Sequence, residues 1–118
     1  MIFVSGGSTE EGTGALWMRN HTYSSKTFII NTRSGIVKKK QNMKIKRQAH
    51  GLVRINNYVY ACGGLDNISI IDTCERFNLT TEKWSLDVPS LQEAKFSMTM
   101  MALDKTWIYS FGGATNDF

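Results

Sequence analysis

The sequence predicts an all-β chain built from a repeat of about 50 residues, each repeat contributing short antiparallel strands. Three observations carry this. Gly-Gly recurs at Gly6-Gly7, Gly63-Gly64 and Gly112-Gly113, at intervals of 57 and 49 residues. Each doublet follows an apolar run: Ile2-Phe3-Val4-Ser5, Val59-Tyr60-Ala61-Cys62 and Ile108-Tyr109-Ser110-Phe111. Such runs suit strands buried on both faces, and glycine after them permits positive φ and close backbone packing. No segment sustains a helical period.

Registered on the glycines, Ile2, Val59 and Ile108 share a column, as do Phe3, Tyr60 and Tyr109. After Gly63-Gly64 come a polar loop at Leu65-Asp66-Asn67 and an apolar-rich strand from Ile68 to Phe77. The turn Asn78-Leu79-Thr80-Thr81 then leads to Trp84, seven residues beyond Phe77. In the first repeat Phe28-Ile29-Ile30, a turn at Asn31 to Gly35, and Ile36-Val37 echo this, with Ile30 and Val37 again seven apart. Upstream, Gln48 to Ile55 and Tyr58 to Cys62 flank Asn56-Asn57, a hairpin signal because Asn tolerates left-handed φ. Ser97 to Leu103 and Trp107 to Phe111 flank Asp104-Lys105-Thr106 in the same way.

The order of these features resembles the kelch repeat, one four-stranded blade of a β-propeller. A glycine doublet, an aromatic about a dozen residues later and a following Trp are supplied by Gly63-Gly64, Phe77 and Trp84. Arg47-Gln48-Ala49-His50-Gly51-Leu52 and Glu75-Arg76-Phe77-Asn78 belong to the same stretch. The first repeat departs from the pattern, with Ile30 and Val37 for the aromatic and the Trp, and the third has Met98 where His50 stands. Large apolar replacements keep a core filled. The resemblance implies an incomplete first blade with a long loop insertion at 1–46, a complete blade at 47–94, and two strands of a further blade at 95–118. With 118 residues that is about two four-stranded blades, not a closed ring, so the chain reads as part of a larger propeller with open blade edges available for self-association.

Composition bounds the rest. Apolar residues make up 42% of the chain and charged residues 20%, which excludes a disordered chain. No apolar run is long enough for a membrane helix, so no membrane partner is expected. The amino terminus lacks a signal-peptide pattern, which makes the default compartment cytoplasmic. Three sequons, at Asn20, Asn67 and Asn78, then read as chance. The net charge of +4 is carried by Lys38, Lys39, Lys40, Lys44, Lys46 and Arg47; without these six the balance is −2. This segment reads as a solvated connector between strands; a nucleic-acid binder would interleave stacking aromatics, and none is present.

In a meander of this kind, the links from strand two to three and from strand four to the next strand one share a face. These are Ser8 to Ser25, Lys38 to Lys46, Leu65 to Ser69 and Asp87 to Lys95. Kelch-like proteins typically present such loops to partner proteins, so the resemblance implies a non-enzymatic protein-interaction module. Trp, Tyr and Arg dominate interface hot spots. Trp17, Arg19, Tyr23, Asp66 and Asn67 are therefore the partner-binding candidates, with Trp17 foremost. Gly6, Gly7, Gly63, Gly64, Phe77, Trp84, Gly112 and Gly113 are the structural motif.

No catalytic, cofactor or metal site is expected. His50 reads as a structural hydrogen-bonding residue and His21 as a loop residue. One alternative is a segment of a galactose-oxidase-like kelch enzyme whose active site lies in other blades; the other is a nucleic-acid binder using Lys38 to Arg47. Cys62 and Cys74 should stand about four rungs apart, on the order of 13 Å, and be free buried thiols.

Overall fold

The computed structural model describes residues 1–11 and 20–115. Its elements are β1 (Ile2–Ser5), β2 (Ser8–Glu11), β3 (Asn20–Tyr23), β4 (Thr27–Ile30), β5 (Val37–Lys40), β6 (Gly51–Ile55), β7 (Tyr58–Cys62), β8 (Cys74–Asn78), β9 (Lys83–Ser85), β10 (Thr99–Ala102) and β11 (Ile108–Phe111). All sheets are antiparallel and none closes: β1-β4-β5, β6-β7-β8-β9, β10-β11, and a separate β2-β3 hairpin. The described residues are thus all-β, in open antiparallel sheets of three, four and two strands that follow one another along the chain, with the hairpin beside them.

The repeat is visible in the register. Ile30 faces Val37 across β4 and β5, and Phe77 faces Trp84 across β8 and β9, so both pairs hold one place in their blades. The next residues also match: the Asn31 and Asn78 side-chain carbonyls each accept two backbone N–H bonds that close the following turn. Asn56, with φ 50°, opens the two-residue turn between β6 and β7, and Asp104 caps the turn between β10 and β11.

The first two glycine doublets join one sheet to the next. The Gly7 N–H donates to the Arg47 carbonyl and the Gly64 N–H to the Lys95 carbonyl, both on the segment that opens the following blade. A Cβ on Gly63 would stand 2.5 Å from the Lys95 carbonyl oxygen and 2.6 Å from the Met98 methyl. Gly63 also has φ +64°. Here glycine is needed both for the left-handed turn and for the closeness of the next backbone. His50 takes at Gly6 the position that Met98 takes at Gly63, so the His-to-Met replacement in the third repeat preserves the contact.

The main core lies between the first two sheets. Met43, Val59, Ala61, Phe77 and Trp84 are buried together, with Phe3, Ile29, Leu52 and Leu79 packed against them. Phe3 reaches across from β1 to lie 5.3 Å from the Phe77 ring centroid and 5.9 Å from that of Trp84. The Trp84 indole N–H donates to the Thr27 hydroxyl and the Gln41 carbonyl, at 3.1 and 3.0 Å. One residue thus binds β9 to both the first sheet and the connector. A second cluster, Cys62, Cys74, Met98 and Met100, joins the second sheet to the third. On β11 and just before it, Trp107, Tyr109 and Phe111 are exposed.

Five expectations are corrected. Residues 68–73 do not belong to a strand: after Gly64 the chain makes an excursion in which Leu65 bridges Gln48 and Ile70, and β8 begins only at Cys74. The register therefore places Cys62 directly opposite Cys74, with Cα atoms 4.1 Å apart, and they form a disulfide rather than two free thiols. The Gly63 N–H donates to the Thr73 carbonyl just beyond, which makes Cys62–Cys74 a close, non-hydrogen-bonded pair. Lys38, Lys39 and Lys40 lie in β5 rather than in a connector. Within the segment read as a loop from Ser8 to Ser25, residues 8–11 and 20–23 pair as a hairpin. Arg47, counted among solvated charges, is fully buried.

The bridge closes a loop of 12 residues, for which chain entropy gives a stabilisation of about 3 kcal/mol. Reducing it should lower the urea midpoint correspondingly, and a Cys62→Ala, Cys74→Ala double variant should melt like the reduced protein with no response to reductant. Identical midpoints for oxidised and reduced wild type would contradict this.

Candidate functional site

The segment from Lys44 to Gly51 sets the geometry of the loop-bearing face. Glu75 is buried on β8 and accepts the Lys44 and Ile45 backbone N–H groups at 2.7 and 3.2 Å. The same carboxylate receives Arg47 Nη2 at 3.0 Å, and neither side chain has any solvent exposure. Arg47 Nη1 donates to the Gly63 and Thr73 carbonyls, both at 2.9 Å, at the ends of the two strands joined by the disulfide. Burial pulls the guanidinium pKa down, and the Glu75 carboxylate opposes that pull. This ion pair fixes where the chain leaves β7, where it re-enters at β8, and where the connector docks.

His50 lies beside it, with Nε2 3.0 Å from the Ser5 hydroxyl of the neighbouring sheet. Its structural hydrogen bond is the one expected from the sequence. Burial, and then the Arg47 charge, lower its pKa from 6.5 to about 4. The neutral ring is therefore the folded form. In the unfolded chain the ring takes up a proton near the ordinary value. The stabilisation is thus complete above about pH 6.5 and is lost as pH falls from there toward 4. The loss should reach about 3 kcal/mol, and His50→Gln should flatten that part of the stability profile. A profile unchanged by the substitution would assign the acid sensitivity to other groups.

On the loop-bearing face, Tyr23 at the end of β3 meets the excursion after Gly64. Together Tyr23, Leu65, Asp66, Asn67, Ile68 and Ser69 line a cleft of about 260 Å³. The Asp66 carboxylate accepts the Ile68 and Ser69 backbone N–H groups, both at 2.8 Å, and so holds the loop tip in a tight turn. Ile68 is 91% exposed at that tip. Of the sequence candidates, Tyr23, Asp66 and Asn67 come together here, while Trp17 and Arg19 lie outside the described residues.

Ile68 escaped the sequence reading because an apolar residue before Ser69-Ile70-Ile71 reads as the start of a strand. The available signal was Asp66 two residues earlier, a turn-forming carboxylate that caps the amides following it. On the same face, Arg76 and Asp87 make a bidentate pair at 3.0 and 2.7 Å, which anchors the start of the link from β9 toward β10. The Arg76 guanidinium, with the Ser85 hydroxyl, holds the Asp87 carboxyl at about pKa 2.

Residues 46–87 match the family model of the kelch motif, from the connector through all four strands of the second sheet. The comparison with curated proteins gives no match.

Proposed function

We propose that this chain, carrying a kelch motif at residues 46–87, is a non-enzymatic protein-interaction module that grips its partner at the cleft between Tyr23 and the Asp66–Ser69 loop. The observation that supports this most directly is Ile68, a large apolar side chain held almost wholly in solvent by a turn that Asp66 rigidifies. A preorganised apolar tip beside a Tyr ring supplies contact area at low entropic cost. Asn67 and Asp66 add polar groups at its rim.

The scaffold behind the tip is stiff. The excursion is tied back by the Gln48–Leu65 bridge, by Arg47 and by the disulfide. Variation in the loop would change the partner without disturbing the blades.

Quantitative affinity capture with the intact chain and its Ile68→Asp and Tyr23→Ala variants tests the proposal. At least one protein retained by the wild type should be lost from both variants, whose melts should match the wild type. Retention of every partner by both variants would remove the cleft from the reading. Trp107, Tyr109 and Phe111 on the open third sheet support self-association as a second contact mode, read as a concentration-dependent mass by light scattering.

The proposed cytoplasmic location makes a separate demand on the cysteines. A reducing compartment would keep Cys62 and Cys74 as a dithiol, whereas an oxidising one would keep them bridged. Trapping free thiols by alkylation at the moment of lysis distinguishes the two: a doubly alkylated chain supports the cytoplasm, and a protected one overturns it.

A further inference from the structure

At the opposite ends of the strands, away from the cleft, a groove of about 470 Å³ runs between the first and second sheets. It lies among the turn after β4, the β6–β7 turn and the turn after β8. Ile29, Ile36 and Leu79 give it apolar walls, and Lys38, Lys40 and Arg54 bring three cationic side chains to it against the single carboxylate of Glu82, a side-chain balance of +2.

The lysines reach the groove through strand alternation. Lys38 pairs with Ile29 and Lys40 with Thr27 in the β4–β5 register, so the two share one face of β5 while Lys39 takes the other. Lys40 Nζ already holds a carboxylate, that of Glu82, at 2.8 Å. Arg54 uses Nε to donate to the Asn56 carbonyl, and its terminal nitrogens have no partner among the described residues.

We propose that this groove docks an acidic peptide segment of a partner protein, with carboxylates on Lys38 and Arg54 and an apolar side chain against Ile29, Ile36 and Leu79. Charge complementarity argues for the occupant, and the apolar walls distinguish it from a nucleic acid. A phosphate backbone calls for an uninterrupted track of cations. Here Glu82 interrupts that track, and aliphatic surface separates the charges. Alternating acidic and apolar residues fit both features. The Lys40–Glu82 pair is an internal instance of the contact proposed, and it competes for one of the three cations. The site is separate from the Ile68 cleft and does not depend on it.

The test is fluorescence anisotropy of a labelled peptide of alternating Glu and Leu titrated with the intact chain. Saturable binding that weakens as salt is raised is expected. Lys38→Ala and Arg54→Ala should each weaken it about two- to fivefold. Glu82→Gln, which releases Lys40, should strengthen it by a similar factor, a gain that a folding defect cannot produce. Ile68→Asp should leave it unchanged, which keeps failure of the groove distinct from failure of the cleft. Absence of saturable binding, indifference to Lys38→Ala and Arg54→Ala, or weakening by Glu82→Gln would overturn the proposal. Tighter binding of a single-stranded oligonucleotide of equal charge would replace the peptide by nucleic acid and likewise overturn it.

Discussion

Glu75→Ala is expected to destabilise the chain by about 3–5 kcal/mol, among the largest effects of any single substitution. The carboxylate is the sole counter-charge within 4 Å of a guanidinium with no solvent exposure among the described residues. Its loss leaves Arg47 charged and buried, and orphans the backbone N–H groups of Lys44 and Ile45. Arg47→Met should cost less, because the remaining carboxylate keeps those two backbone N–H bonds. Combining Arg47→Met with Glu75→Leu removes both charges and should restore a substantial part of the Glu75→Ala loss. Urea melts of the single and double variants measure all three terms. A Glu75→Ala cost below about 1 kcal/mol would mean that the pair is hydrated in solution and does not organise the blade.

Phe77→Ala should cost a similar amount, about 3–5 kcal/mol, for a different reason. Phe77 has no exposed surface and stands between Phe3 of the first sheet and Trp84 of its own, with ring centroids 5.3 and 5.4 Å away. Truncation opens a cavity at the junction of two blades, so its effect should not stay within one. Hydrogen exchange should quicken at amides of β1 and β4 as well as β7 and β8. Phe77→Leu, which retains most of the volume, should cost clearly less and leave the first sheet protected. Exchange that changes only in the second sheet would show that the blades are energetically independent.

The glycine doublets, the Phe77 and Trp84 spacing and their first-repeat counterparts Ile30 and Val37 were legible because each is a local pattern with a local cause. A strand must alternate or bury both faces, a turn needs residues that accept its dihedral angles, and a core position needs volume. Ile30 and Val37 occupy the register of Phe77 and Trp84, but Val37 is 57% exposed where Trp84 is buried, so the first repeat keeps the strand pairing and not the core. The candidate cleft was half legible: Tyr23, Asp66 and Asn67 belong to it, but nothing in the order of residues brings the first repeat's hairpin beside the second repeat's loop.

The cysteines mark the limit most clearly. With a short loop after Gly64 their spacing of 12 predicts a four-rung separation and free thiols, and the longer excursion after Gly64 is what brings them opposite each other in a disulfide. Arg47 makes the same point: in the sequence it is the last of a run of positive charges, whereas in the fold it lies beneath Thr73 and Glu75 with no exposure. Sequence by itself determined the strand repeat, the turn chemistry and the positions needing glycine, because these follow from interactions within a few residues. Tertiary structure decided which charges are buried, which cysteines meet and which residues line the cleft, because those depend on how segments distant along the chain are superposed when the sheets pack.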